Sequence, residues 1–437
     1  MDKIFSVIFS LIIITGYRAN AQNQIINNDS LSLREVIGLV VTTHPSVKAA
    51  EEAVNNSENG ISLAKAGFYP DADVTASFNN LGPVTKLTIP ERGIIQLFPE
   101  NNYAAAVNFR QNIYDFGRTK QNIEFEKENK TLNEITSENL KQKLSMSAVN
   151  IYYSLVYLQA AVKIKEEQIS ALNEHLTNIE KLMATGSATE YQSLSTKVRI
   201  SNIESQKVDL ESASRSQQAL LNSLIGNEAG AGVKVKNDFS ADLPPVSQDS
   251  LLVYALSNRR EILLNQSRAS LAGIRYDIAR LQNMPNISLQ ASAGAKNGYM
   301  PELGQLRPNY VIGIGLRVPL LDAIKNKYRI SQARSAMTTV SYESETTRRN
   351  ISSEVLEAEA SVSAAEQKLS QFSLQLHQAE KAYSLAETSF RSGTITNLDL
   401  LDANTAVSES RLLLLKAKID YQASIYRLKA SLGQKIY

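Results

Sequence analysis

The sequence predicts a mainly α-helical fold with a β-barrel part, built from two copies of a unit in which a helix, a β-hairpin and a long helix follow one another. Three observations predict it. An internal repeat runs through most of the 437 residues, each copy has two stretches of alternating apolar and polar residues, and each copy has a long run without glycine or proline. Alternation with period two indicates strands, and an unbroken run indicates one long helix.

The N-terminus has the pattern of a secretory signal peptide, predicted over residues 1–21. Lys3 supplies a positive start, an apolar run from Ile4 to Ile14 follows, and Ala19-Asn20-Ala21 is a small-residue cleavage site. The apolar run is too short to span a bilayer as a helix, because about 20 apolar residues are needed. We expect an exported protein whose mature chain begins near Gln22.

Composition excludes several classes of chemistry. The chain has no cysteine, so it forms no disulfide, thiolate metal site or lipid-modified N-terminal cysteine. The histidines His44, His175 and His377 are scattered without a partner at the three- or four-residue spacing of a helical metal site, and we interpret them as ordinary helix-surface residues. The formal net charge of +2 gives no bulk attraction to nucleic acid. No phosphate-binding glycine loop or nucleophile elbow is present, so we predict no catalytic residue, no metal, no cofactor and no enzyme activity.

The chain contains an internal duplication. The segment from Arg110 to Asp115 matches the segment from Arg317 to Asp322 at an offset of 207 residues, and the same offset holds downstream to Gly226, which matches Gly433. A single register kept across helices, turns and strands indicates duplication and not chance.

A change in the offset and a polar linker set the predicted boundaries. Pro70 matches Pro285 at an offset of 215, so one length difference lies between Phe78 and Asn102. The predicted units are a first repeat over 22–226, a linker over 227–245 that contains glycines and prolines, and a second repeat over 246–437.

Each repeat contains a predicted β-hairpin, at about 71–111 and about 286–317. Apolar and polar residues alternate from Asp71 to Asn79 and from Asn286 to Ala293, and the second strand of each hairpin alternates likewise. Strands with one apolar face and one polar or small face are what a transmembrane barrel requires. Apolar and polar residues would also alternate in a strand pair that packs on a soluble core, but the export signal and the duplication favour the barrel.

The apolar residues predict the lipid-facing side of these strands, and the polar residues predict the lumen. The predicted lipid-facing set includes Val74, Phe78, Val107, Leu289 and Ile314. Asn108, Arg110 and Arg317 are predicted to line the lumen. Four strands cannot close a barrel, because a barrel of roughly eight strands already has an interior only just filled by side chains. The strands must therefore be pooled between chains.

Long helices make up the rest of each repeat. Neither Arg118–Thr185 nor Leu320–Ser392 contains glycine or proline, so each can form one helix of roughly 100 Å at ~1.5 Å per residue. Each ends at a short turn, at Gly186 or Gly393, and a second helix returns. The returning helices begin with the spacing of a capping box, at Thr189 with Gln192 and at Thr396 with Asp399. The antiparallel hairpins should pack as coiled coils.

These motifs, in this order and present twice, resemble those of the TolC-like outer membrane efflux proteins, also called outer membrane factors. The resemblance covers nearly the whole mature chain. It rests on Thr43 to Val47 opening a helix, Ala66 to Pro70 leading into a strand, Arg317 to Asp322 leaving one, and the turn at Arg391 to Thr394 followed by Leu398 to Asp402.

The resemblance implies a homotrimeric α/β-barrel channel-tunnel, with four strands per protomer in a shared 12-stranded barrel in the outer membrane and helices that extend into the periplasm. It also implies docking to a periplasmic adaptor at the two turns, through Gly186, Ser187, Gly393 and Thr394, and through the adaptor to an inner-membrane pump. At the tip the sequence departs from the family it resembles. Phe390 and Ile395 occupy positions where some members have a tyrosine and an arginine that hold the entrance closed.

Asp399 and Asp402 are the predicted pore-entrance residues. They lie three residues apart, so one face of the returning helix can present both, and threefold symmetry would gather six carboxylates. Asp399 is also placed to cap its own helix, which is the simpler interpretation for that residue. Ser195 occupies the position of Asp402 in the first repeat, and in relatives the resemblance assigns such aspartates to the constriction.

Two alternatives remain open. A periplasmic or surface coiled-coil scaffold without a pore would explain the long helices and the export signal, but it would not explain four alternating strands at matched positions. A channel for polypeptide secretion would keep the fold and change the cargo from small molecules. The sequence does not separate secretion from efflux, because the partner pump selects the cargo.

Overall fold

The computed structural model describes residues 30–437 except 91–92, 229, 231, 238, 240, 246, 248–249 and 321. The predicted signal peptide lies outside the described residues. The helices are α1 (Leu33–Thr43), α2 (Pro45–Ala66), α3 (Arg118–Ala184), α4 (Glu190–Ile225), α5 (Leu251–Asn258), α6 (Arg260–Leu281), α7 (Ala323–Arg391) and α8 (Asn397–Ser431). The strands are β1 (Asp71–Asn80), β2 (Lys86–Ile89), β3 (Gly93–Gln96), β4 (Asn101–Tyr114), β5 (Asn286–Lys296) and β6 (Arg307–Arg317).

The order of elements repeats. The first series, α1, α2, β1, β4, α3 and α4, corresponds to the second, α5, α6, β5, β6, α7 and α8. The sequence predicted one helix before each hairpin, whereas the structure has two, separated by extended backbone at His44 and at Arg259. Pro45 explains the first break, because a proline disfavours helical backbone in the residue before it. At the second break, the Arg259 guanidinium binds Glu261 and Glu354.

One antiparallel sheet holds the four long strands in the order β1-β4-β5-β6. At its base Asp71 pairs with Arg110, and Asn286 pairs with Arg317. These two pairs are related by the offsets of 215 and 207 found in the sequence, so the hairpins share one register. The strands β1 and β6 are the two edges, and within the described residues the outer edge of each pairs with no further strand.

A second, two-stranded sheet pairs β2 with β3. It lies in the connection between β1 and β4, where the sequence placed the difference in length between the repeats. The shorter connection between β5 and β6 contains no such pair of strands in the described residues. This extra ribbon therefore distinguishes the first hairpin from the second.

The long helices α3 and α7 span 67 and 69 residues and pair with the returning helices α4 and α8. Two apolar cores hold them to the short helices. One includes Val36 and Val40 of α1 with Tyr152 of α3, and the other includes Leu251 of α5 with Ile351 of α7. None of the described helices combines the length and apolar character needed to cross a membrane.

The segment predicted as the linker is docked on the first repeat. Leu31 forms a parallel bridge with Val235, and the Tyr152 hydroxyl donates a hydrogen bond to the Lys236 carbonyl oxygen at 2.7 Å. Val233 and Val235 are buried in the first core. The linker is therefore part of the packed structure at the level where the short helices meet the long ones.

Candidate functional site

The register of the sheet gathers the polar strand residues on one face. This face includes Asp71, Asp73, Thr75, Ser77, Asn108, Arg110, Ser288, Gln290, Ser292 and Arg317. The Asn108 amide nitrogen donates to Asp73 Oδ2 at 3.0 Å and to Thr75 Oγ1 at 3.1 Å. Asp71, Arg110 and Arg317 line a cleft of about 730 Å³ on this side. The three residues predicted to line a lumen therefore lie on the same polar face of the sheet.

The opposite face of the sheet is apolar and unusually exposed. Val74, Tyr310 and Ile314 are 76%, 78% and 73% exposed, although each is a large apolar residue. Soluble monomers rarely expose a contiguous apolar surface of this kind, and one marks a lipid or protein contact. The parity of the strand residues is therefore as the sequence predicted.

The two turns between long and returning helices have the same geometry. Gly186 and Gly393 both have φ of +75°, a left-handed conformation that favours glycine. The Ser187 N–H donates to the Leu182 carbonyl at 2.8 Å, and the Thr394 N–H donates to the Ser389 carbonyl at 3.0 Å. Both are Schellman ends of a helix. The four predicted docking residues are thus exposed at two equivalent tips.

Asp399 and Asp402 lie in the first two turns of α8, and each carboxylate has a partner in the same chain. Asp399 Oδ2 accepts from the Thr396 N–H at 2.8 Å and from the Thr396 hydroxyl at 2.6 Å. These hydrogen bonds lower the pKa of Asp399, so the carboxylate stays ionised in mildly acidic solution. Asp402 Oδ1 accepts from Arg199 Nη2 of α4 at 2.7 Å. Both side chains remain solvent-exposed.

A buried amide next to these aspartates joins the two helical hairpins. Asn397 is 4% exposed, and its Oδ1 lies 2.7 Å from His175 Nε2 of α3. Because an amide oxygen only accepts, Nε2 carries the proton. The Asn397 amide nitrogen lies 3.3 Å from the Gln192 carbonyl and 3.3 Å from the Thr196 hydroxyl, both on α4.

The histidine in this contact also reaches the fourth helix. The ring of His175 meets the ring of Phe390 of α7 edge to face, with centroids 5.2 Å apart. His175 is therefore not the ordinary surface residue that the sequence suggested. His44 is not one either, since its Nδ1 accepts from the Ser46 N–H at 3.2 Å and caps α2. Asn397 was not predicted from the sequence. Its position as a polar residue among the buried residues of α8, beside Leu400 and Leu401, could have indicated a buried hydrogen-bonding role.

Below the amide, an apolar cluster closes the contact between the hairpins. It consists of Leu172 of α3, Ile200 and Ile203 of α4, and Leu401 of α8. Within the part of the chain that the structure describes, no group of His, Asp and Glu side chains gathers as it would around a metal ion. The features at this end are thus paired tips, an acidic turn and a polar contact that ties the four helices together.

Long paired helical hairpins carried by a four-stranded sheet with one apolar and one polar face define the class of outer-membrane channel-tunnels. The family described as outer membrane efflux protein matches residues 36–227 and 251–434, one segment in each repeat. The chain belongs to this family. It is an outer-membrane protein that extends into the periplasm, and its family is one of efflux channels.

Relatives of known name are similar at low identity. The outer membrane protein TolC of Vibrio cholerae is 19% identical over 409 residues, which are 92% of this chain and 90% of that protein. The alkaline protease secretion protein AprF of Pseudomonas aeruginosa is 21% identical over 340 residues, which are 76% of this chain and 70% of that protein.

Solved structures share the fold. The outer membrane protein VceC of Vibrio cholerae aligns with a TM-score of 0.75 and 19% identity, over 93% of this chain and 97% of that one. The open state of the MtrE outer membrane channel of Neisseria gonorrhoeae aligns with a TM-score of 0.75 and 14% identity, over 92% and 89%. At these identities the structures establish the architecture.

Proposed function

We propose that three copies of this chain form a passive outer-membrane conduit, the outer component of a tripartite efflux or type I secretion system. The observation that carries the proposal is the sheet. Its apolar face is exposed, and the outer edges of β1 and β6 have no partner strand among the described residues. In lipid every backbone polar group needs a partner, so the edges must pair with other copies until the barrel closes.

A scaffold without a pore would not account for these features. In water, the exposed Val74, Tyr310 and Ile314 would form an unprotected patch beside two open strand edges, which is a site for aggregation. A barrel in lipid uses both the patch and the edges. Recovery of the protein in soluble form without detergent would favour the scaffold instead.

The duplication supplies the register of the contact between protomers. Within the chain, β4 pairs with β5, and Asn108 lies opposite Ser292. The offset of 207 carries Asn108 to Gly315 of β6, and the offset of 215 relates Ser292 to Ser77 of β1. If the barrel repeats the internal contact at each edge, Gly315 of one protomer lies opposite Ser77 of the next.

Cysteine cross-linking tests this register, because the natural chain has no cysteine. Ser77→Cys with Gly315→Cys should give covalent dimers and trimers with a short bifunctional thiol reagent, since opposed residues have Cβ atoms about 5 Å apart. The matched control is Ser77→Cys with Asn309→Cys, six residues along β6 and thus roughly 20 Å away. Absence of cross-linked species from Ser77→Cys with Gly315→Cys in outer membranes, or equal cross-linking of the control pair, would overturn the proposed register.

At the periplasmic end, the proposal assigns two roles. The paired tips, with Gly186, Ser187, Gly393 and Thr394, dock the adaptor, and Asp399 with Asp402 forms the acidic entrance. The family is named for efflux and the relative AprF for protease secretion, so small-molecule and polypeptide cargo are both compatible with this fold. Energy would come from an inner-membrane pump, reached through the adaptor.

A further inference from the structure

A cleft of about 640 Å³ lies between α3, α6 and α7, close to the base of the sheet. Arg268 and Arg275 of α6 and Arg329 of α7 line it, and no carboxylate does. The apolar part of its lining is Leu132, Leu271, Ala272, Ile278, Ala279, Ala333, Ala336 and Val340. Cationic groups beside an apolar wall suit a molecule with an anionic head and a hydrocarbon part.

Neutral groups hold two of these arginines in place. The Arg275 guanidinium lies 5.0 Å from the centre of the Phe125 ring, and Arg329 Nη1 donates to Gln282 Oε1 at 2.9 Å. An aromatic ring and an amide oxygen orient a guanidinium without cancelling its charge. Both side chains are therefore positioned while their charge stays available to a ligand.

Two other arginines of the same long helix have acidic partners. On α7, Arg349 pairs with Glu345 at 2.8 Å, and Arg391 pairs with Glu387 at 2.6 Å. In the described residues, no cleft arginine is in such an ion pair. The first part of α7, residues 323–342, contains no acidic residue, and its basic residues are Lys325, Lys327, Arg329 and Arg334. The end of α7 next to the sheet is thus basic without any acidic residue of its own.

The position of the cleft suggests the source of its ligand. Gln282 directly follows α6 and precedes β5 by four residues, and Arg329 lies six residues into α7, about 9 Å along the helix. The polar headgroup layer on each side of a bilayer is roughly 5–8 Å thick. If the strands span the membrane as proposed above, the upper end of the cleft lies at the headgroups of the periplasmic leaflet.

We propose that this cleft binds an anionic phospholipid of the periplasmic leaflet, with the phosphate between Arg275 and Arg329 and an acyl chain against Ile278, which lies on the sheet side of Arg275. Such a lipid would fix the depth of the channel at the point where sheet becomes helix. The identity of the ligand as an anionic amphiphile rests on the cleft alone. Only its source in the membrane rests on the proposed function.

Lipid titration into the detergent-purified full chain tests the site. Phosphatidylglycerol, phosphatidylcholine and inorganic phosphate are each added in a non-ionic detergent, and bound ligand is counted by native mass spectrometry. Phosphatidylglycerol should bind to the unmodified chain, and Arg275→Gln with Arg329→Gln should weaken that binding about 30-fold, the expected loss for two surface arginines. Phosphatidylcholine and inorganic phosphate should bind much more weakly than phosphatidylglycerol.

Arg349→Gln with Arg391→Gln is the matched control, because it removes the same charge from exposed sites outside the cleft. Equal loss of phosphatidylglycerol in both double variants would overturn the site, since net charge alone would then explain binding. Equal binding of inorganic phosphate would overturn the amphiphile assignment. The readout does not require a trimer or a conducting pore, so its failure is distinguishable from failure of the proposed channel.

Discussion

Arg199 of α4 donates a hydrogen bond to Asp402 of α8 at 2.7 Å, and this ion pair joins the first helical hairpin to the second beside the proposed entrance. The arginine offsets part of the charge of an aspartate that the sequence predicts at the pore entrance. The two aspartates therefore have different partners, since Asp399 caps its own helix and Asp402 binds the neighbouring hairpin.

Asp399→Ala combined with Asp402→Ala should reduce cation selectivity and block by multivalent cations in single-channel recordings at low salt. Crowded carboxylates attract cations, and rising salt screens the effect. Arg199→Gln should act in the opposite direction, because it unmasks Asp402. Asp420→Ala, on the same helix but far from the turn, serves as the control. Selectivity unchanged in the double variant would show that the two aspartates do not line the entrance.

The sequence predicted the parts of this fold that depend on periodicity and repetition. The duplication, the four strands and their parity follow from residue spacing, as Asp71 to Asn79 shows. The contact of His175 with Asn397 joins residues 222 positions apart, and it depends on how the two hairpins lie against each other. No local pattern encodes that placement. The sequence also did not predict the break between α5 and α6 at Arg259, because no proline or glycine lies there.

Asn397→Ala should loosen the proposed entrance, because one amide ties α8 to both α3 and α4. Loss of a buried hydrogen-bonding group costs about 1–3 kcal/mol, and the remaining groups would lose their partner. We expect more frequent or larger openings in planar bilayers. Asn173→Ala, an exposed amide on α3 near His175, should leave conductance unchanged. Identical traces for Asn397→Ala and the unmodified channel would rule out a role for the amide in closure.

Arginine substitutions distinguish the two faces of the sheet. Val74→Arg or Ile314→Arg should cost roughly 2–4 kcal/mol of folding free energy in lipid vesicles, because the charge would face the bilayer interior. Ser77→Arg or Ser292→Arg, on the polar face, should be milder. The measurement is urea-dependent folding into vesicles, and equal costs on both faces would show that the assignment of the faces is wrong.

Acid should destabilise a cluster around Glu138 of α3. Burial raises the pKa of Glu138, but hydrogen bonds from Tyr437 at 2.5 Å and Lys435 at 3.2 Å outweigh it, and the net pKa is below its ordinary value. A lowered carboxyl pKa adds stability that is present above the unfolded-state pKa and is lost as pH falls through the folded-state value.

Tyr437→Phe should therefore reduce the loss of thermal stability seen as pH falls below about 4, with little change in that slope near neutrality. The control is Tyr342→Phe, at a tyrosine that is 71% exposed. A steeper acid dependence in Tyr437→Phe than in the unmodified protein would contradict the assigned role of the hydroxyl.

The mass of the detergent-purified particle, measured by light scattering with the detergent contribution subtracted, tests the proposed channel most directly. Two unpaired edges on a four-stranded sheet require strands from other copies, and the proposed barrel closes with three. The account predicts a particle of three chains that remains intact on dilution. A stable particle of one chain would contradict it.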